Sequence, residues 1–299
     1  MCAGLIGGAP GESGGGGSMR GSEALRDAPA VQALRLYGLV AAGGFRRFST
    51  YRAATAAGVF TNTVFGFILA YTFVALWHER PQLGGYDQAQ ALTFVWIGQA
   101  LLAPAALLGY GFQEDLQERI RSGDVAVDLY RPADLQLWWC AHDLGRAAFQ
   151  LLGRGIVPMA VGALAFELAL PTAAHTWLLF LLSVTLGCLV SFAIRYLVGL
   201  TAFWLLDGQG INLMNSLVAM LLSGTLLPLT VFPGAAGDIA QALPWAAMLQ
   251  VPADVLLGRH TGAGLAGALA FQVAWAVALL AAGRAMQALA TRKVVVQGG

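Results

Sequence analysis

Residue types that carry chemistry are few and scattered in this chain of 299 residues. Its four histidines (His78, His142, His175, His260) and three cysteines (Cys2, Cys140, Cys188) lie far apart. A zinc site is usually announced by His-Glu-x-x-His or Cys-x-x-Cys, because closely spaced ligands help close a tetrahedral shell. Neither pattern occurs, and an odd cysteine count makes no disulfide framework. Lys293 is the only lysine among 17 Lys plus Arg, and Arg292 precedes it. The Gly-rich turn ending in Gly-Lys-Ser/Thr that cradles nucleotide phosphates is therefore missing. Gly11-Glu12-Ser13-Gly14-Gly15 has the spelling of a nucleophile elbow, but no strand precedes it and no helix follows. The expectation is no catalytic residue, no metal site and no cofactor on this chain.

Polar side chains concentrate between Gln113 and Arg146. This stretch holds Glu114, Asp115, Glu118, Arg119, Arg121, Asp124, Asp128, Arg131, Asp134, Asp143 and Arg146. Asp115 and Arg119 are spaced i, i+4, and Glu118 and Arg121 i, i+3, which supports a short helix with Leu116 and Ile120 on one face. Gly123 offers a stop, and Asp134, after Arg131-Pro132, can cap a second helix beginning near Leu135. Mixed charge of this kind serves either as a docking element for a cytoplasmic partner or as a loop held in water. By pattern alone the solvated loop is the ordinary outcome.

The elements that must position this stretch are membrane helices. Apolar residues make up 58% of the chain and charged residues 11%, against about 25% charge in soluble domains. Mean hydropathy is +0.67. A net charge of +1, with no basic run interleaved with aromatics, excludes a nucleic-acid partner. Six apolar runs reach the length a bilayer demands: near Thr55–Trp77, Ala89–Phe112, Ala147–Leu170, Trp177–Leu200, Asn212–Phe232 and Ala263–Met286. Arginines gather before the first run, between the second and third, and after the sixth, whereas the alternate loops hold only Arg80 and Arg259. The positive-inside rule then puts both termini and the second-to-third loop in the cytoplasm.

Residues 1–30 read as a flexible Gly-rich tail, in which Met19 is an alternative start to Met1. Leu34, Tyr37, Ala41, Phe45 and Phe48 would share one face of an amphipathic helix over residues 31–53, lying on the cytoplasmic membrane surface. Gly38, Gly43 and Gly44 weaken that helix, and a frayed extension of the first span is the other reading. Residues 54–290 form the six-span domain. Within it, residues 113–146 are the cytoplasmic loop, and residues 233–260, broken by Pro233, Pro244 and Pro252, form short re-entrant helices on the outer side. Residues 291–299 are a cytoplasmic tail. The fold class expected is thus an all-α membrane protein with six transmembrane helices.

Polar groups inside the runs are few. Arg195 is an intramembrane charge expected to snorkel to the headgroups or to pair with a partner or an acidic lipid. Asp207 can cap the fifth run. Asn62, Gln99, Asn212 and Asn215 either bond neighbouring helices or touch a substrate. The tryptophans, Trp77 and Trp96 among them, fall mostly near run ends, as an interfacial belt would. So few buried charges argue against an ion pump and suit an apolar or amphipathic cargo.

The string Glu118-Arg119-Ile120-Arg121-Ser122-Gly123-Asp124-Val125, followed by Leu129-Tyr130-Arg131-Pro132, resembles permease subunits of the type-2 ABC exporter superfamily, in an actinobacterial branch. Tyr51-Arg52, Phe203-Trp204, Ser223-Gly224, Phe232-Pro233, Leu243-Pro244 and Leu257-Gly258 agree in order and spacing over residues 30–290. The resemblance implies a transport subunit of a bacterial cytoplasmic membrane. Such a subunit pairs with a second copy or a homologous permease, and docks on a separate ATPase subunit that holds ATP and Mg. It also turns the polar stretch into a coupling loop, with Leu116, Glu118, Arg119, Ile120, Arg121, Gly123 and Asp124 at the docking helix and Arg131 and Pro132 closing the turn. The cargo implied is a hydrophobic or amphipathic molecule such as an antibiotic, natural product or lipid. Other readings are an intramembrane lipid-modifying enzyme, which needs clustered His, Asp, Glu or Ser, and a scaffold or channel with no ATPase partner.

Overall fold

A computed structural model of the protein describes residues 29–108, 111–205 and 208–297. Asp207 and the tail before Pro29 lie outside the described residues. All regular structure among the described residues is helical: α1 (Pro29–Ser49), α2 (Arg52–Glu79), α3 (Gln88–Leu101), α4 (Phe112–Ser122), α5 (Val125–Tyr130), α6 (Leu135–Gln150), α7 (Ile156–Ala165), α8 (Ala174–Leu200), α9 (Gln209–Leu222), α10 (Ala235–Ala242), α11 (Gln250–Leu256) and α12 (Gly262–Gln297). The chain divides into two compact units, Met1–Leu36 and Tyr37–Gly299. The described part of the first is the opening of α1, with Val31 and Leu34 exposed. The second holds the rest of α1 and the other helices.

Among the described residues, four helical stretches are long and apolar enough to cross a membrane: Arg52–Glu79, Leu135–Ala165, Ala174–Phe203 and Gly262–Arg292. The second of these joins α6 to α7 through a wide π turn at Leu151–Gly155. Pro158 explains the turn. It has no N–H for the carbonyl four residues earlier, so the ladder widens there instead of breaking.

Three of the expected runs have different bounds. The third was expected from Ala147, but its helix begins at Leu135. Asp143 and Arg146, read as part of a watery loop, are buried on it. The second and fifth runs are not single long helices: α3 and α9 have 14 residues each, a rise of about 21 Å. After α3 the chain turns through residues 102–108, around Pro104. After α9 it turns at Ser223-Gly224, where the Ser223 carbonyl accepts a hydrogen bond from the Gln250 N–H (3.1 Å).

Helix α8 packs against α12, α11, α6 and α4. Helix α3 is enclosed along Ala91–Leu101. Trp96, expected at an interface, is instead buried between Gly66 of α2 and Gly162 of α7, where a Cβ on either glycine would overlap its indole. Trp77 is buried too, and donates to the Tyr86 carbonyl (2.8 Å).

Residues 233–260 contain α10, a 3-10 turn at Pro244–Met248 and α11, whose residues are all buried. A polar knot secures this region. The Tyr86 hydroxyl donates to Asp254, while the Gln250 amide donates to Tyr86 (2.7 Å) and Asp254 (2.8 Å) and its carbonyl accepts from the Leu229 N–H (2.9 Å). Arg259 stacks 3.8 Å from the Tyr86 ring centroid and donates to the Gly85 carbonyl (2.6 Å). Burial, with the Asp254 charge beside it, pushes the Tyr86 phenol well above its ordinary value.

Candidate coupling site

Helices α4 and α5 form the polar end of the molecule. Glu114 and Asp115 occupy the first turn of α4, and Arg119 and Arg121 its last, each complementing the local end of the helix dipole. Gly123 ends α4 with φ 84°. That left-handed conformation is the usual glycine stop. Asp134 accepts from the Leu137 N–H (2.8 Å) to start α6, and is held by Arg284 (2.6 Å).

The two faces of α4 have separate tasks. Phe112, Gln113, Leu116 and Gln117 point inward. Leu116 is 0% exposed and lies against Gly199 of α8, among Phe192, Tyr196 and Leu200. It was expected among the docking side chains, but its place is the seam that fixes α4 to the span helices. Gln117 and Asn212 exchange amide hydrogen bonds of 3.0 and 2.9 Å, joining α4 to the start of α9. Arg119, half-buried, turns towards α5, forming a two-pronged pair with Asp128 that raises the guanidinium pKa above its ordinary value. Arg131 reaches Asp128 from the other side (3.2 Å), so both arginines brace α5. Ile120 is half-buried, while Glu118, Arg121, Gly123, Asp124 and Pro132 are exposed.

Two outward side chains were missed in the sequence: Val127, 58% exposed, and Tyr130, 91% exposed. Their spacing of three within a polar turn is the signal that could have found them. Helix α1 joins the same end. Arg47 donates to Asp115 (2.8 Å), and the Tyr37 hydroxyl accepts from the Asp134 N–H (3.2 Å). Part of the apolar face of α1, at Ala41 and Phe45, packs on α6. A Cβ on Gly44 would overlap the His142 carbonyl, one on Gly145 would overlap the Ala41 carbonyl, and Phe45 meets Phe149 edge-on at 5.4 Å. The glycines that weaken α1 as an isolated helix are thus partly explained as contact points.

Behind α4 sits a buried ionic cluster. Asp143 and Arg146 of α6 and Arg195 of α8 are 1%, 3% and 2% exposed. Arg195 does not snorkel. It donates to Asp143 (2.6 and 3.3 Å) and to Ser191 (3.2 Å), and its guanidinium lies 5.2 Å from the Phe112 ring centroid. Arg146 donates to Asp143 (2.7 Å) and to the carbonyls of Ala103 (2.8 Å) and Pro104 (2.9 Å). Ser191 donates to the Ala105 carbonyl. Gly111, with φ 148°, passes so close that a Cβ would lie 2.7 Å from Arg195 Nη1. The cluster therefore clasps α6, α8 and the turn that leads into α4. A spacing of three between Asp143 and Arg146, followed by one arginine in an apolar run, was its only trace in the sequence.

The remaining polar candidates form two separate pairs. The Asn62 amide donates to the Gln99 backbone carbonyl (3.2 Å), and the Gln99 side-chain oxygen is buried with no partner among the described residues. Asn212 is engaged with Gln117, and Asn215 is half-buried one turn further along α9. No hydrogen bond among the described residues joins the two pairs, and no group of three or more His, Cys, Asp or Glu lies together there.

A multi-pass helical membrane protein with a structured polar end, anchored to its spans by an ionic clasp, is the class these features define. The family model of the ABC-2 family transporter protein matches residues 60–298, and the chain belongs to that family. No curated protein matches the chain.

Proposed function

We propose that this chain is the permease subunit of an ABC exporter in a bacterial cytoplasmic membrane. It moves a hydrophobic or amphipathic molecule outward, using ATP and Mg held by a separate ATPase subunit, and it pairs with a second permease copy or a homologue. Both termini and the α4–α5 end face the cytoplasm, following the arginine bias. Six crossings result if α3 with residues 102–108 and α9 with residues 223–232 each complete one. Non-helical backbone at membrane depth is tolerated where protein encloses it, and residues 104–107 after α3 are buried.

One observation carries the reading. Tyr130 and Val127 of α5 stand exposed at the polar tip, while Leu116 and Gln117 pin the preceding helix, α4, to α8 and α9. An apolar tip on a charged, rigidly anchored lever suits insertion into a cleft of a partner that moves. Glu118, Arg121 and Asp124 supply the polar rim.

The test is purification of the tagged chain from its native membranes, followed by identification of co-purifying proteins and measurement of ATP hydrolysis. An ATPase carrying a phosphate loop is expected, and Tyr130→Ser should weaken its association by roughly tenfold, the scale of one aromatic anchor. Absence of any such ATPase, or full association by Tyr130→Ser together with Arg121→Ala/Asp124→Ala, would overturn the reading.

A further inference from the structure

A groove of ≈710 Å³ runs along the opening turns of α2, walled by Arg52, Ala56, Val59 and Phe60 on one side and by Phe149 and Gly153 on the other. Gly153 helps keep it open. The atoms nearest to a Cβ there would be the Phe149 ring (3.3 Å) and the Thr55 methyl (3.4 Å), so a longer side chain would enter the groove.

Its two ends differ in chemistry. The depth is apolar, and the hydroxyls along it are already spent: Ser49 donates to the Arg46 carbonyl (2.8 Å), Thr55 to Tyr51 (3.1 Å) and Thr63 to Val59 (2.8 Å). At the mouth stands Arg52, exposed, with five guanidinium N–H donors. Asp115, an acidic neighbour of the α1 end, is taken by Arg47. Among the described residues no carboxylate forms an ion pair with Arg52. Tyr51, also exposed, sits beside it, as aromatic residues do at the headgroup level. From Arg52 to Thr63 a helix rises about 16 Å, close to the roughly 15 Å of hydrocarbon in one leaflet.

We propose that this groove holds one anionic glycerophospholipid, its phosphate on Arg52 and an acyl chain along α2. An uncompensated cation at headgroup level joined to an apolar slot one leaflet deep is complementary to that molecule in both charge and length. The assignment needs only that α2 crosses the bilayer. It does not depend on the export reading.

Native mass spectrometry of the purified full chain with dioleoylphosphatidylglycerol and with dioleoylphosphatidylcholine tests it. Tighter binding of the first phosphatidylglycerol is expected, weakened about fivefold by Arg52→Gln, the effect of one cation near an anionic headgroup. Arg80→Gln, a matched charge loss at the other end of α2, should leave it unchanged. Ala56→Phe and Gly153→Leu should each abolish the first binding step by filling the slot. If Gly153→Leu disturbs the π turn and fails to fold, Ala56→Phe on the exposed face of α2 carries this arm. Equal affinity for the two lipids, equal effects of Arg52→Gln and Arg80→Gln, or unchanged binding by a folded slot-filling variant would each overturn the proposal.

Discussion

Replacing Asp143 by asparagine tests the ionic clasp most directly. In the native cluster two arginines face one aspartate, a net charge of +1. Asp143→Asn preserves shape but leaves Arg146 and Arg195 as two buried cations with no anion, raising the cluster to +2. Removing one partner of a buried ion pair costs about 3–5 kcal/mol. Arg195→Gln is milder, because the Asp143–Arg146 pair survives and the loss is that of hydrogen bonds to a charged group, about 1.5–3 kcal/mol. The double variant returns the cluster to +1. It should fall short of the summed single losses by roughly 1–3 kcal/mol, the usual coupling of contacting residues. The assay is reversible unfolding in mixed micelles titrated with sodium dodecyl sulfate, followed by far-UV circular dichroism. If Arg195→Gln proves costlier than Asp143→Asn, or if the two losses simply add, the charge argument is wrong and the cluster is held by packing.

Further outcomes follow at other positions. Tyr86 has its pKa raised in the folded protein above the unfolded value of about 10. Its contribution to stability is therefore complete below about pH 10 and declines as pH rises above it, because the unfolded chain releases the phenolic proton first. Thermal midpoints between pH 8 and pH 11 should show this decline, and Tyr86→Phe should flatten it while lowering stability by about 1.5–3 kcal/mol for the lost hydrogen bond to the Asp254 carboxylate. At the α1–α6 crossing, Gly145→Leu should cost about 1–3 kcal/mol by overpacking and should raise amide exchange in α1. Gly38→Ala, where nothing lies within 4 Å of the new Cβ, should instead stabilise α1 by about 0.8–1 kcal/mol.

The sequence made membrane helices legible because long apolar runs admit little else, and Gly123 and Asp134 stand where α4 stops and α6 starts. It misplaced the start of the third run because charge was read as water. Asp143 and Arg146 are polar in sequence, yet each is satisfied by groups from other elements, Arg195 and the carbonyls of residues 103–104, whose proximity no local pattern encodes. Trp96 was misread in the same way, since its slot is created by glycines on two distant helices. At the candidate site the charged pattern located the helix but not its facing. Leu116 turns inward, Arg119 turns to Asp128 of α5, and the outward Tyr130 was quoted only as part of a string. Facing depends on where α8 lies, and that is a tertiary fact.

Beside the apolar seam with α8, two polar contacts hold α4, and they differ in what they respond to. Gln117 and Asn212 are neutral amides, part-buried, and exchange a donor and an acceptor each way. Neither salt nor acidity alters such a pair. Arg47–Asp115 is solvent-exposed, and at physiological ionic strength it is screened over about 8 Å. Raising the salt therefore loosens α4 from α1 while leaving it fastened to α9. The attachment to α9 is thus indifferent to the ionic surroundings, and the attachment to α1 responds to them.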